Sequence, residues 1–375
     1  MKRKRLNRNV QIVVEPTASA RLRVTPGCPV RASVIIVSYN AKEKLLRCLA
    51  SLLRSLPDSC EVVVVDNASC EDNADAIEAG FPQATLIRSN TNLGFSGGCN
   101  LGARHAQGQY LVFLNPDTLV ENGWIEALVA ALEADARAGL ATAKILLLDQ
   151  PDRLNTCGCN IHLTGLTLCR GMGRSRELYG KPDYVTAISG AAFAIRRELF
   201  EKLEGFDEHM FLYMEDTDLS LRARLAGWRT LYTPDSVVLH DYRLRIFPLK
   251  VFYQERNRYL MLLKNLRWPT LFVLLPVFLL AEVITWSFVL LSDRANIGNK
   301  VQAYRWVLNN WAVVRQKRRQ AQALRAVSDR QLLKETGFEL DFGQAAGEGV
   351  ATLARFVFTP IFFVLRKITL ALVWW

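Results

Sequence analysis

Short apolar runs rich in valine and isoleucine alternate with segments of helical periodicity between Ser33 and Leu148, and this alternation strongly constrains the fold. The runs SVIIVSYN, EVVVVDNAS, ATLIRS, YLVFLN and GLATAKILLL have the length and β-branched content of buried strands. Between the first two runs, leucines recur at helical spacing from Leu45 to Leu56. Strands that alternate with helices form a mainly parallel sheet with helices on both faces, so the sequence predicts an α/β fold.

Polar residues stand at the carboxyl ends of three of these runs, at Tyr39-Asn40, Asp66-Asn67 and Asn115-Pro116-Asp117. The carboxyl ends of parallel strands meet at one edge of a sheet, which is where open α/β sheets bind ligands. We therefore expect the three clusters to line one crevice. The last cluster has a simpler alternative interpretation, because Asn-Pro and Pro-Asp also end strands as plain turns.

The composition indicates an anionic partner. The chain has 375 residues, a net charge of +11 and a hydrophobic content of 50%, and such a charge suits nucleic acid, a phosphorylated substrate or lipid headgroups. The opening MKRKRLNRNV is followed by no sustained apolar run, so no secretory signal is expected, and the eight cysteines form no Cys-x-x-Cys pair. The expected environment is therefore reducing and faces the cytosol.

One cluster of cysteines and histidine could bind zinc. Cys157, Cys159, His162 and Cys169 could supply four ligands. Their spacing matches no common zinc motif, however, and the same stretch is typical of a β-hairpin that turns at Thr164-Gly165. The hairpin is the simpler interpretation.

Two apolar segments near the carboxyl terminus predict contact with a membrane. The segment 268–292 is long enough to cross a bilayer, but it contains Pro276 and Glu282 and has basic residues on both sides. A re-entrant or in-plane arrangement therefore fits it better than a single crossing. The segment 355–375 contains Arg366-Lys367 and ends in two tryptophans, as interfacial helices do. The alternative is that both segments are core helices of a soluble domain.

Three further features are ambiguous when each is taken alone. The stretch Asn90–Gly108 is a glycine-rich loop before a helix, where backbone amides can approach phosphate, but it fits neither the dinucleotide fingerprint nor the P-loop. Acidic residues at 215, 216 and 218 stand where a helix should begin, which favours capping as much as catalysis. His240 ends a β-like run, and a lone histidine there is more often structural than a ligand.

Together and in this order, these features resemble family 2 glycosyltransferases of the GT-A fold, and most closely the bacterial rhamnosyltransferase-like and galactofuranosyltransferase-like members. The resemblance extends from about Ala32 to Arg243. It depends on the motifs VIIVSYN, VVVVDNAS, NLGFSGGCN, FLNPDT, SGAAFAIRRELFEKLEGFDEHMFLYMEDTDLSLR and VVLHD. It implies a GT-A, Rossmann-like domain that binds a nucleoside diphosphate sugar.

The resemblance also implies which residues bind the donor. The aspartate after the second strand, Asp66, would contact the nucleotide base, and Tyr39 and Asn40 would flank the nucleotide. The glycine-rich loop would lie along the nucleotide-sugar. The implied donor-binding residues are Tyr39, Asn40, Asp66, Asn67, Asn92, Gly94, Gly97, Asn100 and Asn115.

A divalent cation is the cofactor that the resemblance implies. Asp117 matches the last aspartate of the family's Asp-x-Asp motif, which holds the cation on the donor diphosphate. Asn115 replaces the first aspartate of that motif and brings no charge, although its amide can bond ribose or a metal-bound water. His240 matches the family histidine that reaches the metal, and its imidazole favours Mn²⁺ over Mg²⁺.

The acidic cluster gains a catalytic role from the same resemblance. Family members that invert the anomeric centre use one general base on the acceptor hydroxyl, and the matching residue is Asp216. Glu215 and Asp218 would be supporting residues that orient neighbours or the acceptor. Arg222 would either steady Asp216 or be solvated, and solvation is the commoner state of an isolated arginine.

The predicted function is a membrane-associated, metal-dependent, inverting glycosyltransferase. It would move a sugar, with dTDP-rhamnose the expected donor, to a lipid-linked glycan acceptor in bacterial cell-surface polysaccharide synthesis. It would work at the cytoplasmic face of the cell (inner) membrane, against anionic lipids and without nucleic acid. The predicted regions are a basic lead-in (1–30), the GT-A domain (31–250) and a membrane-associated helical region (251–375).

Three alternatives remain at this stage. A processive polysaccharide synthase would carry a Gln-x-x-Arg-Trp motif and several convincing spans, and neither is visible in the sequence. A basic nucleic-acid-binding protein would account for MKRKRLNR and would bind DNA in a salt-sensitive manner. A catalytically inactive scaffold is disfavoured because Asp117, Asp216 and His240 are all present.

Overall fold

The computed structural model describes residues 30–70, 73–242, 248–340 and 348–375. The predicted basic lead-in 1–30 lies outside these residues except for its last position. The strands are β1 (Ala32–Ser38), β2 (Cys60–Asp66), β3 (Thr85–Arg88), β4 (Tyr110–Leu114), β5 (Thr118–Val120), β6 (Ala138–Leu147), β7 (Gln150–Thr156), β8 (Cys159–Ile161), β9 (Thr167–Cys169), β10 (Asp183–Val185), β11 (Ala192–Arg196) and β12 (Arg229–His240). The helices are α1 (Lys42–Leu53), α2 (Asn73–Gly80), α3 (Gly94–His105), α4 (Trp124–Ala134), α5 (Arg197–Lys202), α6 (Glu215–Leu225), α7 (Pro248–Asn265), α8 (Trp268–Val273), α9 (Leu275–Ser292), α10 (Ile297–Asn309), α11 (Trp311–Ala323), α12 (Asp329–Lys334) and α13 (Glu348–Leu372).

The main sheet confirms the predicted α/β class. Strands β3, β2, β1 and β4 are neighbours in that order and run parallel. Beyond β4 the sheet continues through β11, which is antiparallel to both its neighbours, to β6, β12 and β10. Strand β11 can pair with β4 and β6 without a helical crossover, because only parallel neighbours need one.

Helices cover both faces of the sheet, as the alternation predicts. Residues Val34 and Ile36 of β1 pack in a core with α1, α2 and α4, whereas Ile35 and Val37 pack in a second core with α3, α5 and α6. Successive side chains of a strand point to opposite faces, so a strand buried on both sides must be apolar at every position. This explains the uninterrupted valine and isoleucine runs in β1 and β2.

The glycines of α3 bring that helix close to the sheet. A Cβ atom at Gly98 would lie 2.6 Å from Cγ1 of Val37, and one at Gly102 would lie 2.5 Å from Cγ2 of Ile35. Any larger side chain would therefore push α3 away from β1. Gly98 and Gly102 of the Asn90–Gly108 stretch are therefore needed for this packing.

The predicted hairpin is confirmed. Strands β8 and β9 are antiparallel with Cys159 opposite Cys169, and the turn uses Gly165 at φ +82°. His162 is buried against the ring of Phe362, at 4.7 Å between ring centroids, and burial lowers its pKa to about 4. Across the described residues, no group of three or more His, Cys, Asp or Glu side chains is placed to hold a metal. The zinc alternative therefore has no support here.

The C-terminal helices pack on the sheet domain through α6 and the β8–β9 hairpin. Their shared core contains Leu221 and Leu225 of α6, Leu260 and Met261 of α7, and Phe362 of α13. In the parts of the chain that are described, no single helix is long and apolar enough to cross a membrane. Leu275–Leu290 and Arg294–Asn309 pass that test only as a pair, and they are bent by 119°.

Glu282 lies inside a buried network of charges and does not face outward from α9. The Arg258 guanidinium donates to its carboxylate at 2.5 Å, the Tyr259 and Tyr304 hydroxyls also donate to it, and the Lys300 ammonium lies 3.3 Å away. Burial opposes ionisation of Glu282, but the Arg258 charge and the tyrosine hydrogen bonds outweigh it and lower its pKa to about 2. The network joins α7, α9 and α10.

Candidate active site

The three polar clusters meet at one edge of the sheet, as the sequence predicts. Ser38 at the end of β1 is paired with Asp66 at the end of β2, and β4 runs parallel to β1 on its other side. Tyr39 is 48% exposed at this edge. Asn40 adopts φ +50°, and its side-chain oxygen accepts a hydrogen bond from the Cys70 amide at 2.8 Å. The three clusters therefore lie side by side at the carboxyl edge of the sheet.

Asp66 has an unused acceptor in this crevice. Its side chain is 8% exposed, and its Oδ1 is buried without a hydrogen-bond partner among the described residues. A buried carboxylate oxygen is normally hydrogen-bonded, so an orphaned one at a ligand-binding edge indicates a missing donor. An N–H group of a ligand could supply that donor, and the contact of Asp66 with a nucleotide base stays a prediction.

Asn67, Asn92 and Gly94 shape the loop beside Asp66. The Asn67 side chain donates to the Asn92 side-chain oxygen at 3.1 Å and to the Gly94 carbonyl at 3.0 Å, and it accepts from the Leu93 amide at 2.9 Å. Gly94 adopts φ +69°, and a Cβ atom there would lie 2.3 Å from the Phe211 carbonyl oxygen. Asn67 and Gly94 therefore hold the loop in place, while Asn92 is exposed.

The structure corrects the predicted donor contact of Asn100. Its amide nitrogen donates to the Phe206 carbonyl at 2.9 Å and to the Glu208 carboxylate at 3.0 Å, and its oxygen accepts from the Phe206 amide at 2.9 Å. Both amide hydrogens are thus bonded within the protein. Asn100 ties α3 to the segment before the acidic cluster. Gly97 is buried against Leu93, and its donor contact stays a prediction, as does that of Asn115.

The fold brings His240 to Asp117. Strand β5, which follows Asp117, pairs antiparallel with the end of β12, so that Thr118 lies opposite His240. His240 Nε2 is 3.3 Å from Asp117 Oδ1, and Lys44 Nζ is 3.8 Å from Asp117 Oδ2. Burial opposes ionisation of Asp117, but His240 and Lys44 outweigh it and lower its pKa. The carboxylate is therefore charged at neutral pH.

The hydrogen bonding of His240 fits a cation at this position. Its Nδ1 lies 2.9 Å from the side-chain oxygen of Asn155. An amide oxygen can only accept, so Nδ1 donates to Asn155 and the Nε2 side of the ring faces the Asp117 carboxylate. These two side chains are the groups that would hold a cation here. Imidazole and carboxylate are both ligands for Mn²⁺, and the rest of the shell could come from phosphate and water.

Asp216 lies at the start of α6 in a setting that suits a general base. Its Oδ2 accepts from the Gly190 amide at 2.9 Å, and its Oδ1 accepts from the Thr217 amide at 2.7 Å. Burial raises its pKa, and these hydrogen bonds oppose the rise. The side chain remains partly exposed. A fixed and accessible carboxylate with a raised pKa can accept a proton from a bound hydroxyl group.

Glu215 is buried next to Asp216 and lacks its hydrogen bonds. It is 6% exposed, and its Oε2 has no hydrogen-bond partner among the described residues. Burial and the nearby charge of Asp216 raise its pKa well above the usual range. Burial thus favours the protonated form of Glu215, and its supporting role stays a prediction.

The structure corrects the assignment of Asp218 to the catalytic group. Asp218 is fully buried, and its carboxylate pairs with Arg222 Nε at 2.8 Å and Lys264 Nζ at 3.0 Å and accepts from the Asn265 amide at 3.1 Å. It cannot contact an acceptor. Both sequence-based interpretations of Arg222 are also wrong, because Arg222 is buried on Asp218 and touches neither Asp216 nor bulk solvent. The pair anchors α6 to α7.

Asn257 of α7 is a residue that the sequence analysis missed. Its side-chain amide donates to the carbonyls of Met210, Leu212 and Tyr213, at 2.9, 3.0 and 2.7 Å. The segment that it holds leads directly into Asp216, and Phe211, Tyr213 and Met214 within it all adopt positive φ. Residues other than glycine rarely adopt such angles, and they persist only where surrounding contacts impose them. No local sequence pattern marks Asn257, because its partners lie on another element.

The α/β sheet with helices on both faces, the polar groups at its carboxyl edge and the aspartate–histidine pair beside them agree with the GT-A fold. Residues 33–204 match the glycosyl transferase family 2 model. This match identifies a family 2 glycosyltransferase domain within the chain.

Two relatives named as rhamnosyl transferases are similar to the chain. The chain is 29% identical over 238 residues to the N-acetylglucosaminyl-diphospho-decaprenol L-rhamnosyltransferase of Mycobacterium tuberculosis, which covers 55% of this chain and 75% of that protein. It is 25% identical over 249 residues to the dTDP-rhamnosyl transferase RfbF of Shigella flexneri, which covers 62% of this chain and 79% of that protein.

Two solved structures share the fold. GalNAc-T7 with UDP, GalNAc and Mn²⁺ has a TM-score of 0.53 at 21% identity, covering 64% of this chain and 49% of that chain. TarS (residues 1–349) of S. aureus with UDP-GlcNAc has a TM-score of 0.52 at 16% identity, covering 91% and 89%. The chain thus spans about half of the GalNAc-T7 structure and most of the TarS structure.

Proposed function

We propose that the protein is an inverting, metal-dependent glycosyltransferase that moves rhamnose from a nucleoside diphosphate donor to a lipid-linked glycan. The observation that carries this proposal is the convergence of Asp117 and His240, 3.3 Å apart, at the crevice edge formed by β1, β2 and β4. The names of the M. tuberculosis and S. flexneri relatives support rhamnose as the sugar. The name of the former also supports an acceptor on a polyprenyl diphosphate.

The residues of the crevice have separate tasks in this reaction. Asp66 accepts a hydrogen bond from the base of the donor through its unpartnered oxygen. Asp117 and His240 hold the divalent cation, with His240 oriented by Asn155. When bound, the cation supplies charge neutralisation for the departing nucleoside diphosphate.

Asp216 takes the proton of the acceptor hydroxyl as the oxygen attacks the anomeric carbon. The Gly190 and Thr217 amides fix both carboxylate oxygens, so the base is oriented before the acceptor arrives. Direct attack by the acceptor needs no enzyme nucleophile. A single displacement inverts the anomeric centre.

An exposed apolar face supports membrane association. We call it the α8–α9–α13 face and define it by side chains that are each at least 40% exposed: Phe272, Leu275, Leu279, Val283, Phe356, Ile361, Val364, Ile368, Leu372 and Trp374. Helices α9 and α13 contact each other, and the Trp375 indole donates to Thr270 of α8, so the face is continuous. Apolar faces of this extent, next to basic residues such as Arg366 and Lys367, suit the surface of an anionic bilayer. Because the donor sugars are cytosolic, the site belongs at the cytoplasmic face of the membrane.

Donor binding tests the proposal directly. We expect dTDP-rhamnose, in a thermal-shift panel with UDP- and GDP-sugars, to raise the melting temperature, and to do so more strongly with Mn²⁺. Asp117→Ala should weaken both the shift and its dependence on Mn²⁺, whereas His209→Gln, a histidine that pairs with Asp207, should leave both unchanged. A shift that a chelator does not alter would refute the metal, and a panel without any shift would refute the function.

A further inference from the structure

An apolar groove lies between α7, α8 and α9. Its volume is about 670 Å³, and its walls include Leu262, Leu263, Trp268, Phe272 and Phe278. This volume lies within the range of small-molecule sites, but such sites usually also present a few polar groups to fix the ligand. Here the lining is almost wholly hydrocarbon and aromatic. A sugar, a nucleotide or a headgroup would lose its hydration in this groove without gaining hydrogen bonds.

The groove opens on the α8–α9–α13 face. Phe272 and Leu275 belong to both, and they are 73% and 46% exposed. Exposed apolar area of this kind is unfavourable in water at roughly 25 cal/mol per Å². The Arg318 guanidinium stacks 4.2 Å from the centroid of the Trp268 ring and adds positive charge at the rim. The occupant should therefore combine a long apolar chain with an anionic group.

The groove shares two elements with the general base. Helix α7 holds the segment before Asp216 through Asn257, and its next turns line the groove at Leu262 and Leu263. By the rise of an α-helix, the five residues from Asn257 to Leu262 cover about 7.5 Å. The β8–β9 hairpin makes the same connection, because its turn packs on Leu262 while Thr167 bonds Thr217 beside Asp216.

We propose that this groove binds the isoprenoid chain of the acceptor lipid, so that the acceptor sugar is held at Asp216. The proposal rests on the proposed function and adds a site for the part of the acceptor that does not react. A bilayer lipid would also satisfy the apolar walls. The acceptor chain fits better because the groove adjoins the elements that position the base, and binding energy from a remote part of a substrate can hold its reacting group in place.

Acceptors that differ only in chain length provide the test. We would measure initial rates in one detergent with N-acetylglucosaminyl-diphospho-farnesol and with N-acetylglucosaminyl-diphospho-decaprenol. The intact protein should show a lower KM for the longer chain. In Leu275→Glu, the KM for the long chain should rise by about tenfold, as expected when roughly two methylene groups lose their burial. The short-chain KM and the kcat should stay unchanged.

Leu279→Glu is the matched control, because Leu279 is 66% exposed on α9 but does not line the groove. It should retain the chain-length preference. An equal loss in both variants would assign the effect to the bilayer or detergent surface and overturn the proposal. Equal KM values for both acceptors in the intact protein would also overturn it while leaving the function standing, whereas no transfer to either acceptor would refute the function itself.

A second variant guards against misfolding. If Leu275→Glu loses the donor-induced thermal shift, we would measure the same initial rates with Phe278→Ala, a substitution that only enlarges the groove. This variant should also raise the KM for the long chain selectively. An unchanged preference in a folded Phe278→Ala protein, as judged by its thermal shift, would count against the groove.

Discussion

Asp216 differs from Glu215 and Asp218 in the surroundings of its carboxylate. Asp216 is partly exposed and held by two backbone amides, Glu215 is buried with an unpartnered oxygen, and Asp218 is enclosed by an arginine and a lysine. Three acidic residues within one helical turn thus have three different physical states. Only the first combines charge, orientation and access to solvent.

The general-base role of Asp216 predicts a selective loss of turnover. We expect Asp216→Asn to lower kcat by about 10²- to 10⁴-fold, because the amide cannot accept the acceptor proton. The donor-induced thermal shift should persist. The raised pKa of Asp216 should place the acid limb of the pH–rate profile above 3.8, with activity falling as pH decreases through it. Near-normal turnover would refute the assignment.

Asp218→Asn is the contrasting variant. Removing this buried charge leaves Arg222 without a carboxylate and Lys264 with Asp207 alone, and it should lower the free energy of unfolding by about 3–5 kcal/mol. We expect the folded fraction to keep its kcat. A large kcat loss without a change in urea unfolding would show instead that Asp218 acts in the reaction.

At the scale of elements, helix α7 holds the conformation of the segment that leads into Asp216. We expect Asn257→Ala to lower kcat by about tenfold or more, because the Leu212 and Tyr213 carbonyls lose this donor and the positive-φ segment before Asp216 can relax. The Met210 carbonyl keeps its bond from Arg256. Donor binding, which depends on Asp66 and Asp117, should be unchanged by thermal shift. Asn310→Ala, which removes a single bond to Trp306 at the end of α10, is the control and should keep its kcat. An unaltered kcat in Asn257→Ala would mean that the loop holds its own conformation.

The charge network around Glu282 makes the helical region sensitive to acid. The folded-state pKa of about 2 lies below the unfolded value of 4.5, so the network stabilises the fold above pH 4.5 and this contribution is lost as the pH falls through 2. We expect Glu282→Gln to be less stable at pH 6 and to lose this pH dependence in urea unfolding.

Glu133→Gln serves as the control for Glu282→Gln. Glu133 pairs with Arg31 at the surface, where both side chains are more than 40% exposed, so its removal should change stability little. Equal effects of the two substitutions at pH 6 would refute a special role for the buried network.

At the scale of the whole molecule, the α8–α9–α13 face predicts reversible binding to anionic vesicles. We expect Val364→Glu combined with Ile368→Glu to reduce co-flotation with phosphatidylglycerol vesicles at least severalfold, because the charges would enter the headgroup boundary. Leu178→Glu, at a position 49% exposed outside this face, should bind as the intact protein does. Binding should weaken with salt, since basic residues contribute about 1 kcal/mol each near an anionic surface. Equal flotation of all proteins would contradict the prediction.

The site residues that could be predicted from the sequence are those that lie at the ends of strands. Asp66, Asp117 and Tyr39 follow apolar runs directly, so a correct strand assignment places them at the crevice. Asn100 and Arg222 could not be assigned this way, because each lies on a helix and its role depends on which loop packs against it. The likeness to a known family indicated the region of the acidic cluster but not the division of roles within it.

The sequence by itself determined the sheet, its helical cover and the crevice, because periodicity and β-branched content are local properties that any buried parallel strand must have. It also determined that a basic, apolar C-terminal region would follow. The tertiary structure decided which polar groups are used up inside the protein and which remain for a ligand. That division depends on partners such as Asp218 with Lys264 and Asn257 with the 210–213 carbonyls, which only folding brings within hydrogen-bond distance.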